Sequence, residues 1–168
     1  MKSENDNADY SIILSQLRIA RLFGHNLLVL KDNSGKLISE IDGLATSKNG
    51  ETKPVGYLPS DRLKAFEFKS AFLYKSSQAQ IALINANKEI CLNKWNVALN
   101  AITLINTKNL PYPIFGLGKN SNSVTSTLIR CMDLHEPQIP SGGIAPFSGE
   151  ILLSEAEIEK LQSALISR

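Results

Sequence analysis

The sequence predicts an α+β domain in which an antiparallel sheet packs against helices. Three observations carry this. Two apolar runs, 26–31 and 37–44, flank Asp32-Asn33-Ser34-Gly35, a turn sequence of the kind that closes hairpins. Trp95, Ala98, Leu99, Ile102 and Ile105 recur at helical spacing. Val124, Leu128, Cys131 and Met132 do the same just after Asn120, Ser121 and Asn122, which are all good N-cap types. With 168 residues, 43% of them hydrophobic, the chain is long enough for one well-formed core.

Taken in order, residues 1–9 are polar and acidic and are expected to be a disordered leader, leaving 10–168 as a single domain. Residues 10–23 are rich in Ile and Leu without a clear period; a strand is expected near 17–22. Gly24-His25 then opens the hairpin. Counting outward from its turn sets His25 opposite Asp42, give or take one residue, although Asp42-Gly43 also reads as a strand end. Residues 45–59, with Gly50, Pro54, Gly56 and Pro59, read as a long loop, the kind of segment that often binds or covers a site.

Phe66, Phe68, Phe72 and Tyr74 come in near alternation, so a strand is expected over 65–75, and another over 80–85. The helix around Trp95 follows. Next comes the loop Tyr112-Pro113-Ile114-Phe115-Gly116-Leu117-Gly118, which runs into the capped helix at Ser121. Pro137, Pro140, Gly142, Gly143 and Pro146 mark 133–149 as a surface connection. Ser154 with Glu157 forms a capping box, and a last helix is expected to reach about 166.

Composition narrows the function classes. A net charge of +2 with no basic run argues against nucleic acid as the partner. Apolar runs such as 12–14 and 27–30 are too short to span a bilayer, and the first residues lack the apolar stretch of a secretory signal. Cytoplasmic synthesis is the expectation. Cys91 and Cys131 make neither a disulfide framework nor a metal-ligand spacing. No metal or organic cofactor is implied.

Acyl transfer needs a nucleophile, a base within hydrogen-bond reach and a group that orients the base. Ser121 at a helix start, His25 at a strand start and Asp42 across the hairpin form such a set. Asp42 would fix the His25 tautomer. The side chains of Asn120 and Asn122, with the free amides of the first helical turn, would supply oxyanion donors. The bland alternatives are a helix cap for Ser121, a backbone-bonded strand-end histidine for His25 and a solvent-exposed loop position for His135. Cys131 lies on the inner helical face and reads as packing, and Cys91 with His135 is the competing nucleophile–base pair.

Gly24-His25-Asn26-Leu27-Leu28-Val29-Leu30, followed much later by Tyr112 and Asn120-Ser121-Asn122-Ser123-Val124, resembles the circularly permuted papain-like superfamily. That group includes the PPPDE-type peptidases and the lecithin:retinol acyltransferase-like proteins. The resemblance implies a permuted papain-like (NlpC-like) fold with His25 as the base, Asp42 or Glu40 as the orienting residue and Ser121 in the nucleophile position usually held by cysteine. It leaves Tyr112 and Ser123, with Asn120 and Asn122, to shape the site. The Asn-Ser-Asn-Ser form is also similar to bacterial domains found with polymorphic toxins and secretion-system cargo. A secreted effector, exported without a cleavable signal, is the setting this implies. Its substrate would be a peptide, peptidoglycan or acyl group, and its partner a cognate immunity or secretion-system protein. A catalytically inactive binding or adaptor module of the same fold is the alternative.

Overall fold

A computed structural model of the chain describes residues 10–19 and 21–166; the expected leader, 1–9, lies outside them. Six strands, β1 (Tyr10–Ile19), β2 (Phe23–Asp32), β3 (Leu37–Thr46), β4 (Thr52–Lys53), β5 (Arg62–Phe68) and β6 (Ala79–Ala86), precede three α-helices. These are α1 (Lys88–Thr107), α2 (Ser121–Cys131) and α3 (Glu155–Ile166). All strand pairings are antiparallel, in the order β4-β3-β2-β1-β6, with β5 on the edge of β3 that β4 leaves free. The expected architecture, an antiparallel sheet against helices, is what the chain forms.

The first strand runs earlier than expected. β1 pairs with β2 from Tyr10↔Asp32 to Ile19↔Phe23, so Arg21 and Leu22 fall in the turn. Its period is unclear because it is an inner strand, flanked by β2 and β6, with apolar residues on both faces. β3 also runs on, through Asp42-Gly43 to Thr46, and does not stop at the glycine. The 45–59 segment is therefore only partly loop, with β4 inside it. Buried Asp61 organises the remainder, its carboxylate accepting from Tyr57 N, Leu58 N and Lys53 Nζ. β5 ends at Phe68, short of the expected 75. Beyond it the chain turns so that the N–H groups of Phe72, Leu73 and Tyr74 all meet the Glu40 carboxylate, while Phe72 stacks on Phe68. The Ser154–Glu157 capping box opens α3 as expected.

On one face of the sheet, Leu28, Leu30, Ile41, Ala45, Leu63 and Ala65 pack against Trp95, Ala98, Ile102 and Ile105 of α1 and Val124, Leu128 and Met132 at α2. The position of α2 decides the rest. β2 and β3 pair only between Leu28↔Ile41 and Lys31↔Leu37, then separate. Into the opening comes α2, buried at every residue except Arg130. Asn122 takes the place of a missing strand: its Oδ1 accepts from Asn26 N at 2.8 Å, and its Nδ2 donates to Gly24 O at 3.1 Å and Pro146 O at 3.0 Å. Thr125 Oγ1 closes the same edge by donating to Asn26 O at 2.9 Å. The bonds to Gly24 and Asn26 satisfy strand-edge groups that burial would otherwise leave without a partner.

Gly43 makes the wedge possible. A Cβ there would lie 2.8 Å from Val124 Cβ and 2.9 Å from Ser121 O, closer than packed atoms approach. Gly43→Ala is therefore expected to push α2 outward and to cost about 1–3 kcal/mol, the usual range for overpacking. Chemical denaturation checks this; an unchanged midpoint would mean that α2 seats less tightly than described.

Candidate functional site

Ser121 is the first residue of α2 and is not its cap. The cap is Asn120, whose Oδ1 accepts from Asn122 N at 2.8 Å, while Ser123 Oγ accepts from Asn120 N at 3.2 Å in a capping box. Ser121 is thus free of the structural duty that was its bland explanation. Its hydroxyl is 3.3 Å from the Tyr112 hydroxyl, both residues being buried. Tyr112 is held in turn by packing over Gly56, where a Cβ would meet its ring at 2.5 Å.

The two other members of the expected set meet. His25 Nε2 lies 3.2 Å from Asp42 Oδ1, with both side chains almost fully buried. The contact is not the cross-strand pairing that counting from the turn gave. A register shift between Leu30 and Lys31 moves the ladder to Leu28↔Ile41, which, extended, sets Leu27 opposite Asp42. His25 reaches Asp42 diagonally, across the point where the strands part. Burial holds the His25 imidazole down to about 4, against a pull upward from Glu40, so it is neutral at pH 7. With Nε2–H donated to Asp42, the Nδ1 lone pair is left without a partner among the described residues. Burial pushes Asp42 up to about 7; Glu40, two residues before it, is raised to about 7 by burial and then by Asp42.

His25 and Ser121 line one cavity of about 270 Å³, together with Tyr112 and the α2 start. No hydrogen bond joins the imidazole to the Ser121 hydroxyl in this structure. Of the expected oxyanion donors, the side chains of Asn120, Asn122 and Ser123 are all committed elsewhere. Asn120 Nδ2 donates to Gly116 O, Asn122 bridges β2 to Pro146, and Ser123 Oγ donates to Phe147 O. What remains is the Ser121 N–H, a first-turn amide that faces the Tyr112 hydroxyl.

The remaining walls are apolar: Ile19, Phe23, Pro54, Val55, Phe115, Leu117 and Pro146, with no charged side chain. Phe115 is 70% exposed and Leu117 78% exposed at the mouth. Phe115 also adopts φ +54°, a conformation that a bulky side chain rarely takes. Residue-type reasoning passed over this rim; its signal was the run of large apolar residues in a glycine-bearing loop. The competing pair is not assembled as a site here, since Cys91 is buried within α1 and His135 is exposed. Burial pushes the Cys131 thiol up to about 12, in keeping with a packing role. Among the described residues no group of three His, Cys, Asp or Glu is placed to hold a metal ion, and no helix is long and apolar enough to cross a membrane.

Comparison with protein-family models, with curated proteins and with solved structures yields no match to this chain.

Proposed function

We propose that the chain is a hydrolase or acyltransferase of permuted papain-like architecture, acting on an ester, thioester or amide whose acyl part is apolar. One observation carries the reading: a neutral, Asp42-bonded imidazole and an uncapped helix-start serine line a single cavity. Ser121 Oγ attacks the carbonyl carbon and its proton passes to His25 Nδ1. The bond to the leaving group breaks as that group takes the proton from His25. Water, or another acceptor, then attacks the acyl-Ser121 ester, gives its proton to His25 and restores the hydroxyl. The Ser121 N–H, which faces the Tyr112 hydroxyl in the resting chain, turns to the developing oxyanion. Closure of the apo gap between base and nucleophile on substrate binding is ordinary for such sites.

The uncharged, apolar walls support an acyl chain over a charged peptide or glycan. The exposed, strained Phe115 supports the same choice, since such features concentrate where a ligand is gripped. Alkyl fluorophosphonates test it. Four added methylenes, at about 0.8 kcal/mol each, are expected to speed labelling roughly 200-fold, and Leu117→Asp is expected to erase most of that gain. A rate indifferent to chain length would remove the acyl assignment.

The setting we propose, on the Asn-Ser-Asn-Ser resemblance alone, is a bacterial secreted effector with an immunity or secretion-system partner. A second reading is a non-catalytic binding module, favoured by the Ser121 hydroxyl bonding Tyr112 and not His25. A wild-type chain that no fluorophosphonate labels would favour it.

A further inference from the structure

The buried carboxyl of Asp42 uses only half of its capacity. Oδ1 meets His25, while Oδ2 is enclosed with no donor to accept from. Glu40, two residues earlier on β3, lies on the same face of the sheet and is equally buried. Two ionised carboxylates buried on one strand face repel, which favours one proton held by the pair. No cation replaces it: among the described residues neither carboxyl forms an ion pair with Lys or Arg. The cross-strand neighbours on β5 are Phe66 and Phe68, β2 presents Val29 and His25, and the following loop brings only backbone N–H groups.

Those N–H groups decide which carboxyl is charged. Glu40 Oε2 accepts from Phe72 N at 2.7 Å, and Oε1 accepts from Leu73 N at 2.7 Å and Tyr74 N at 3.0 Å. Three donors converging on one carboxyl stabilise its ionised form. Asp42 receives no backbone donor.

We propose that Glu40 and Asp42 share one proton, carried on Asp42, and that His25 is therefore positioned by a neutral carboxylic acid with the negative charge held behind it on Glu40. Asp42 Oδ1 accepts from His25 Nε2–H, and Asp42 Oδ2–H donates to Glu40. Glu40 is a positioning residue: it acts on the base through Asp42 and touches no substrate. The inference rests on the reading of His25 as the base, but its structural core does not.

Infrared spectra of the full chain carrying carboxyl-labelled aspartate are expected to show a protonated-acid carbonyl band at neutral pH that Asp42→Asn removes. Glu40→Gln is expected to shift and weaken the same band, since the anion that accepts from the acid is gone and burial alone keeps it protonated. With a fluorophosphonate as probe, Asp42→Asn is expected to slow labelling by tenfold or less, because asparagine presents the same acceptor to His25 and the same kind of donor to Glu40. An ionised triad acid would instead lose on the order of 10⁴-fold. Absence of the band from a wild-type chain that labels normally overturns the shared proton and leaves the hydrolase reading standing. Presence of the band in a chain that never labels keeps the shared proton and removes the hydrolase.

Discussion

Ser121→Ala is expected to abolish fluorophosphonate labelling and to slow acyl transfer on the order of 10⁶-fold, the loss seen when a nucleophile of this type is removed. The fold is expected to survive, and this separates the chemistry from a structural effect. Ser121 does not cap α2, a duty that belongs to Asn120, and alanine is well suited to a helical position. The substitution removes only a 3.3 Å bond to Tyr112, whose hydroxyl retains Pro54 O at 3.5 Å. In the wild type, labelling is expected to stay level on the acid side to about pH 5, because the base form of His25 titrates only near 4. Labelling that survives Ser121→Ala would end the catalytic proposal.

Asn122→Leu is expected to be the most damaging change to folding. It removes the acceptor for Asn26 N and the donor for Gly24 O and Pro146 O, all within or beside the buried wedge. A buried group left unpaired costs about 1–3 kcal/mol, so a combined loss of roughly 3–5 kcal/mol follows. For a domain of this size that lowers Tm by about 10 °C or more. Asn122→Asp sharpens the test. It keeps the acceptor and nearly all the volume, but sets a carboxylate oxygen against two carbonyls. If Asp is tolerated where Leu is not, the two Nδ2 donations contribute nothing and the bridging half of the strand-replacing role fails.

The legible parts of the fold were those with local causes. The Asp32–Gly35 turn, the helix around Trp95 and the Ser154 cap are dictated by residues within a few positions of one another, and each formed where expected. What was missed came from distant partners. The Phe72 and Tyr74 alternation resembles a strand, yet Glu40, more than thirty residues earlier, pulls that backbone into a turn. Thr125, Ser126 and Thr127 look like the solvent side of an amphipathic helix. They are buried because their hydroxyls bond back to the carbonyls of Ser121, Asn122 and Ser123, and onward to Asn26 O, Gly149 N and Leu152 N.

The site was legible to a similar degree. Residue type singled out His25, Asp42 and Ser121, and the first two do touch, but through a diagonal that turn-counting did not give. Asn122 was noticed for the wrong property. An amide at a helix start suggests an oxyanion donor, whereas its plane matches a strand edge equally well, and only the parting of β2 from β3 decides between them. Glu40 entered as an alternative to Asp42; in the proposed arrangement the two act together.

The helix wedged into the sheet also orders the events of biosynthesis. The bare rim at Gly24–Asn26 waits for a segment almost a hundred positions downstream. Until that segment is made, those backbone groups lack the partners that seal them in the finished fold. Sealing that rim and delivering the hydroxyl to the crevice are one and the same act, so a half-made chain has neither.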